Sequence, residues 1–226
     1  MSKLIILGVS GRMQSGKTTT YLGIASAWDN HFHAHKSLPI VAVEEFSMAK
    51  HLKRFCVDVL GLKPEQVDGT NEQKNSVVPH LLWENFPVPG VANGRSGPMT
   101  GRQVMEAWGT QIFRRSDPDI WLRKSLADIL DRERQIRELP GIERRLIAII
   151  PDVRFPNEVK GIQEQGGYVL RLTRNPYPES THECETALDP DKFNWARFDK
   201  VYDNSQEDAE AQMRGLAPWL REIGVL

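Results

Sequence analysis

Lys3 to Val9 and Ile40 to Val43 are short, continuous apolar runs, the first closed by glycine. Such runs read as strands buried on both faces. Residues 145–150 form a third run, and 166–173 and 200–204 read as two more strands. Between them the apolar period lengthens. In "SMAKHLKRFCVDVLGL" (47–62), Met48, Leu52, Phe55, Val59 and Leu62 share one helical face, with Gly61 as the stop. Helices are expected at about 16–28, 71–84, 117–139 and 157–165, and the closing stretch from Gln206 to Ile223 is also helical. Thr100 suits the cap of the helix "GRQVMEAWGTQIFRR", and Asp117-Pro118 the start of the next. Strands that alternate with helices predict an α/β fold, a central parallel sheet flanked by helices.

Two stretches break the pattern. Residues 86–101 hold three prolines and four glycines in sixteen residues, a mobile loop. "HFHAHKSLP" (31–39) reads as a polar connector, in which His31, His33 and His35 alternate. A metal site needs a firm scaffold and supporting partners, so these histidines are expected to be solvated.

The 226 residues suit one domain with insertions or two small ones, and 40% hydrophobic content suffices for a core. Lysine and arginine number 29 against 30 acids, a net charge of −1, so no basic surplus speaks for nucleic acid. Cys56 and Cys184 form no CxxC pair and are expected as free thiols in a reducing compartment. No segment reaches the roughly 20 apolar residues of a membrane helix, and a soluble cytoplasmic protein is expected.

Gly11-Arg12-Met13-Gln14-Ser15-Gly16-Lys17-Thr18 follows the first strand and fits GxxxxGK[ST], the phosphate-binding loop. Its glycines let backbone N–H groups turn inward, and the helix begun at Gly16 points its positive end at the same place. Lys17 would reach the β- and γ-phosphates, and Thr18 would ligate Mg²⁺. Chance produces this pattern in roughly one per cent of chains this long, but here a strand precedes it and a helix follows. No NKxD signature marks a GTPase. The strand "LIAIIPD" ends in one acid, not the Asp-Glu of motor ATPases. Small-molecule kinases remain, beside a P-loop ATPase or a nucleotide-dependent binding module.

Four ordered blocks resemble the phage-type deoxynucleoside monophosphate kinases. They are the phosphate loop, "SMAKHLKRFCVDVLGL", "TGRQVMEAWGTQIFRRSDPDIWL" (100–122) and "DVRFPNE" (152–158). "GGYVLRLTR", "HECETALD" (182–189) and "YDNS" (202–205) continue in the family's order, so the resemblance covers nearly the whole chain. It implies transfer of the ATP γ-phosphate to a deoxynucleoside monophosphate, with Mg²⁺, on a P-loop NTPase fold of the nucleoside-monophosphate-kinase type with mobile helical flaps. A single domain is implied, with an acceptor-side helical region at about 46–122; the paired prolines of "NPYP" (175–178) suggest a second loop, at about 174–189, that could close over ATP as a lid. No nucleic acid or membrane partner is implied, and a homodimer is left open. Met48 stands where the family usually has Phe, Lys50 where it often has Asp, Gly101 for Pro, Cys184 for Ser, and Thr19 where an Asp often follows.

The expected ATP contacts are Gly11, Arg12, Met13, Gln14, Ser15, Gly16, Lys17, Thr18, Thr19 and Arg174. The expected acceptor contacts are Met48, Lys53, Arg102, Gln103, Trp121, Asp152 and Arg154. Lys17, Arg154 and Asp152 are the catalytic candidates, and Thr18 and Asp152 the metal ligands. Arg102 sits at a helix start, a poor place for a cation unless a phosphate is held there; a surface ion pair is the alternative. Asp152 follows an apolar strand at its carboxyl end, where ligands bind in open α/β sheets. It would serve Mg²⁺ or the acceptor sugar, or be a turn residue. Arg154 would contact phosphate, as Arg171 would, or pair with Asp152 or Glu158. Asn157 and Glu158 suit a helix cap. Trp108 and Trp121 suit the core better than a base stack, and His182 stands open between nucleotide contact and none.

Overall fold

A computed structural model describes residues 3–34, 40–139, 144–179 and 182–226. In chain order the first elements are β1 (Lys3–Ser10), α1 (Lys17–Ala34) and β2 (Ile40–Glu45). Next come α2 (Ala49–Asp58), α3 (Pro64–Asp68), α4 (Asn71–Lys74), β3 (Val77–Leu82) and β4 (Pro98–Thr100). They are followed by α5 (Gly101–Glu106), α6 (Ile120–Glu138), β5 (Arg144–Val153), α7 (Pro156–Glu164) and β6 (Tyr168–Leu172). The last are α8 (Glu183–Thr186), β7 (Lys200–Tyr202) and α9 (Ala209–Glu222). The chain divides into two compact units, Met1–Ser47 with Lys124–Leu226, and Met48–Arg123.

The first unit is built on a five-stranded sheet in the order β2-β5-β1-β6-β7, with every neighbouring pair parallel. Parallel neighbours need crossovers, and helices supply them. The period of two sorts the central strand. Ile5, Leu7 and Val9 of β1 join one buried cluster with Ile24 of α1 and Leu216 and Leu220 of α9. On the other face, a Cβ at Gly8 would lie 2.8 Å from Ile162 Cδ1 of α7, so glycine leaves room for that side chain to pack down on the strand. Both faces are covered, which is why these strands are apolar throughout. The expected α/β architecture, a parallel sheet flanked by helices, is thus present.

The strand expected at 145–150 runs three residues further, through Pro151, Asp152 and Val153. Its register against β1 steps from Gly8↔Ile150 to Ser10↔Val153, so β5 carries one extra residue in a bulge. Pairing with β2 has already stopped at Glu45↔Ile149. Pro151, which has no N–H to donate, is tolerated in a central strand because it falls at this irregularity. Asp152 therefore belongs to the strand's last turn of pleat, not to a loop after it.

The connector expected from His31 also differs. Helix α1 continues to Ala34, so His31 and His33 are helical, and His35 lies outside the described residues.

In the second unit the helix expected over 71–84 is absent. A single turn, α4, is followed by strand β3, which pairs antiparallel with β4 through Val77↔Thr100 and Val78↔Met99. Two β-branched valines and Pro79 favour extension over helix. Val78 and Met99 then enter a core with Cys56, Trp83 and Val104. Burial pushes the Cys56 thiol up to about 12, leaving it inert. Helix α2 is shorter than the periodicity of 47–62 implies, ending before Gly61 at φ 71°. Thr100 does cap α5, accepting from Gln103 N at 3.3 Å, and α5 continues as a π-helical stretch over Ala107–Arg114. A Cβ at Gly109 would meet Leu52 Cδ2 at 2.6 Å, so this stretch lies tight against α2. Among the described residues no helix is long and apolar enough to cross a membrane.

The load on the central sheet can be measured. Ile147→Ala removes a fully buried side chain of β5 and should cost about 3 kcal/mol in urea denaturation. Val201→Ala, on an edge strand and 37% exposed, should stay within about 0.5 kcal/mol.

Candidate phosphate-binding site

The turn between β1 and α1 is shaped by two residues with positive φ, Gln14 at 57° and Gly16 at 96°. Gly16 is required twice over. Its φ disfavours a side chain, and a Cβ there would lie 2.6 Å from Gln212 Oε1. Asn204 and Gln212, both buried, brace the turn from behind. Asn204 Nδ2 donates to Ser15 O and to Gln212 Oε1, each at 2.7 Å. Gln212 Nε2 donates to Thr20 Oγ1 at 2.8 Å and Gly16 O at 3.2 Å. The loop's outline is thus fixed by its own glycines and by side chains almost two hundred residues away.

Lys17 folds back over this turn, its Nζ donating to Gly11 O at 2.9 Å and Arg12 O at 2.7 Å. Its ammonium is uncomfortable there. Burial and the nearby guanidinium of Arg154 push its pKa down to about 7, with Arg171 adding to the fall and Glu185 and Asp152 opposing it. Arg171, also buried, bonds Ser10 Oγ at 2.9 Å and is lowered to about 10, chiefly by burial. Arg12, Lys17, Arg154 and Arg171 thus crowd one place.

Two carboxylates from one short segment balance them. Asp189 takes Arg12 in a fork, Nε to Oδ1 at 3.1 Å and Nη2 to Oδ2 at 2.5 Å, with Arg171 3.6 Å away. Glu185, in α8, accepts the Met13 backbone N–H at 2.8 Å and Arg154 Nη1 at 2.5 Å. Neither acid was among the sequence candidates. Glu185 lies in α8 and Asp189 in the turn after it, and no local signal ties them to Arg12 and Met13, which stand 177 and 172 positions earlier.

The Arg154 guanidinium, expected to meet phosphate, Asp152 or Glu158, goes to Glu185. Glu158 instead accepts the backbone N–H groups of Arg154 at 2.7 Å and Phe155 at 3.0 Å, the capping role expected of it for α7. Asp152 accepts from Ser47 Oγ at 2.7 Å. Thr18 is exposed at the start of α1, and Thr19 is half-buried. Arg174 is held by backbone carbonyls, donating to Asn204 O at 3.0 Å and to Glu207 O. His182 caps α8, and its Nδ1 lies 2.9 Å from Cys184 Sγ.

The other candidates lie in the Met48–Arg123 unit. Met48 is buried. Lys53 pairs with Asp68 at 2.7 Å. Arg102 reaches two amides, Asn75 Oδ1 at 3.1 Å and Asn71 Oδ1 at 3.0 Å, rather than a carboxylate. Gln103 spends its Oε1 on Thr100 N at 2.9 Å, completing the cap. Trp121 is half-buried against Phe113, ring centroids 5.0 Å apart, and Trp108 packs on Phe55 and Phe86. Among the described residues no group of three or more His, Cys, Asp or Glu converges as a metal cage.

A glycine-bearing turn with an ammonium across it and guanidinium groups around it has the charge to suit a polyphosphate. No family model matches the chain. A protein of Acanthamoeba polyphaga mimivirus named "Putative deoxynucleotide monophosphate kinase" is 28% identical over 188 residues, 82% of this chain and 82% of that protein. The chain is similar over most of its length to a protein named as a nucleotide kinase.

Glu185→Gln would leave Arg154 short of its counter-charge in a place largely shielded from water. It should cost about 1–3 kcal/mol in chemical denaturation, below a fully buried pair because Arg154 stays 25% exposed. Glu183→Gln, exposed on the same short helix, should change stability by less than about 0.5 kcal/mol.

Proposed function

We propose that the protein transfers the γ-phosphoryl group of ATP to a deoxynucleoside monophosphate, on a P-loop kinase fold. The observation that carries this is the turn at Gly11–Thr18, with Lys17 tied across it and Arg12, Arg154 and Arg171 around it. The similarity to a protein named for deoxynucleotide monophosphate phosphorylation supports the acceptor class.

An oxygen of the acceptor phosphate attacks the γ-phosphorus, the bond to the β-bridging oxygen breaks, and ADP leaves. A phosphate monoester is largely dianionic near pH 7, so the nucleophile needs no base. The protein's work is to align two anions and offset their repulsion. Gly11, Arg12, Met13, Gln14, Ser15, Gly16, Lys17, Thr18 and Thr19 would hold the ATP phosphates, with Arg174 beside them. Lys17 would shed its bonds to the two loop carbonyls and follow the migrating phosphoryl group. A neighbouring polyanion restores the charged form of an amine lowered to about 7 in the free loop. Arg154, aimed by Glu185, would meet the charge that builds on the transferred group.

The donors for Mg²⁺ fit that ion. Thr18 offers a hydroxyl and Asp152 a carboxylate, hard oxygens that Mg²⁺ takes together with water and phosphate oxygens. When bound, Mg²⁺ neutralises charge on the β- and γ-phosphates. Asp152 is held by Ser47, so its carboxylate keeps one orientation. For the acceptor, Met48, Lys53, Arg102, Gln103 and Trp121 are the proposed contacts. Gln103 keeps its Nε2 for a ligand because the cap uses only Oε1.

ADP release in a coupled assay should depend on an added deoxynucleoside monophosphate, and Lys17→Ala should lower it at least about a hundredfold. Full ADP production without any acceptor would make the protein an ATPase instead. Asp152→Asn should lower kcat about tenfold or more with an unchanged melting temperature. Unaltered kinetics would leave Asp152 a structural residue.

A further inference from the structure

The second unit holds a cationic cluster that its own acids do not balance. Helix α4 is one turn long, and Lys74 ends it. Asn71 and Asn75, on either side of Lys74 in the turn, both accept from the Arg102 guanidinium. Arg102 is thereby fixed in direction by neutral amides, and its full charge is retained. Lys53 lies close enough to act on the same lysine, and its partner Asp68 is 66% exposed and shared with water.

Lys74 itself is half-buried, and its ammonium makes no hydrogen bond or ion pair among the described residues. Its pKa is lowered, by burial first and then by Lys53 and Arg102, with Asp68 alone opposing. Three cations drawn together with one solvated acid are costly in the free protein. Lysines with no task at a surface are free to spread apart into water. The arrangement makes sense when an anion with several oxygens takes the remaining donors, because charge-assisted bonds to phosphate then replace mutual repulsion.

We propose that Lys53, Lys74 and Arg102 form a receptor for the terminal phosphate of a small monophosphate ester, with Asn71 and Asn75 holding the Arg102 fork without consuming its charge. Lys74 is the member that no motif announces. The identity of the ester as a deoxynucleoside monophosphate rests on the function proposed above. Within that reaction Lys74 binds the acceptor's phosphate and does not touch the γ-phosphoryl group, so its loss raises KM for the acceptor and spares KM for ATP.

Calorimetric titration with each of the four common deoxynucleoside monophosphates, each beside its nucleoside, tests the site. Lys74→Gln should weaken monophosphate binding about tenfold, the loss of one charge-assisted contact, and leave nucleoside binding as it is. Arg54→Gln removes a charge from the same unit at a surface pair 79% exposed and should stay within about twofold of wild type. The melting temperature of Lys74→Gln should not fall, since a repulsion is relieved. A wild-type protein that binds none of the four monophosphates overturns the receptor, whatever its ADP release. Monophosphate binding by Lys74→Gln equal to that of Arg54→Gln does the same. So does a lowered melting temperature, which would make Lys74 a structural residue, or inorganic phosphate binding as tightly as the ester. Phosphotransfer with an unchanged acceptor KM in Lys74→Gln sinks the receptor and keeps the kinase. Lys74-dependent binding without acceptor-dependent ADP release keeps the receptor and sinks the kinase.

Discussion

Like charges repel, and Arg12, Lys17, Arg154 and Arg171 meet beside one turn at the carboxyl end of a parallel sheet. Burial deepens the difficulty: it is the largest cause of the lowered pKa of both Lys17 and Arg171. Glu185 and Asp189 make the arrangement tenable. They do more than cancel charge, because each also fixes a direction. Asp189 grips Arg12 by two parallel bonds, and Glu185 ties the Met13 amide to Arg154. Arg12 and Arg154 are therefore held in fixed directions, and under the proposed function they would need little reorganisation to meet an anion. A site assembled this way trades some stability of the free protein for readiness.

The backbone contributes through two irregularities. Positive φ at Gln14 and Gly16 closes the turn after β1. A bulge in β5, with Pro151 in it, shifts the end of that strand by one residue relative to β1. Period-two alternation makes a one-residue shift a change of face. The bulge therefore decides which way Asp152 points, and it meets Ser47.

The Met48–Arg123 unit solves a different problem. Its core is an aromatic and aliphatic cluster closed by a small hairpin, and its Arg102 is steered by two amides rather than neutralised by an acid. Asn oxygens aim Arg102 without offsetting its charge, whereas a carboxylate aims an arginine and offsets much of its charge at once. This contrast with the carboxylate-bound arginines beside Lys17 is the chemical basis for assigning it an anionic ligand.

Much was legible in the residues alone, because those features are local. Apolar runs of period two and of period 3.6 predict strands and helices wherever both faces or one face are buried, and β1, β2, β6 and α7 follow. The spacing of Gly11, Gly16 and Lys17 states a backbone shape, and Thr100 with Gln103 states a cap, each within a few residues. Where neighbours compete, local signals fail: the stretch after Asn71 joins a hairpin because β4, some twenty residues on, offers Val77 and Val78 a partner, and Val78 a core. The partners of the cations were out of reach altogether. Arg12 meets Asp189 across 177 positions, and Met13 meets Glu185 across 172. Nothing in the composition of either segment names the other. Such pairs arise only when the sheet order brings strand ends together, for folding selects them by packing and charge balance in space, and a chain read in one dimension carries neither.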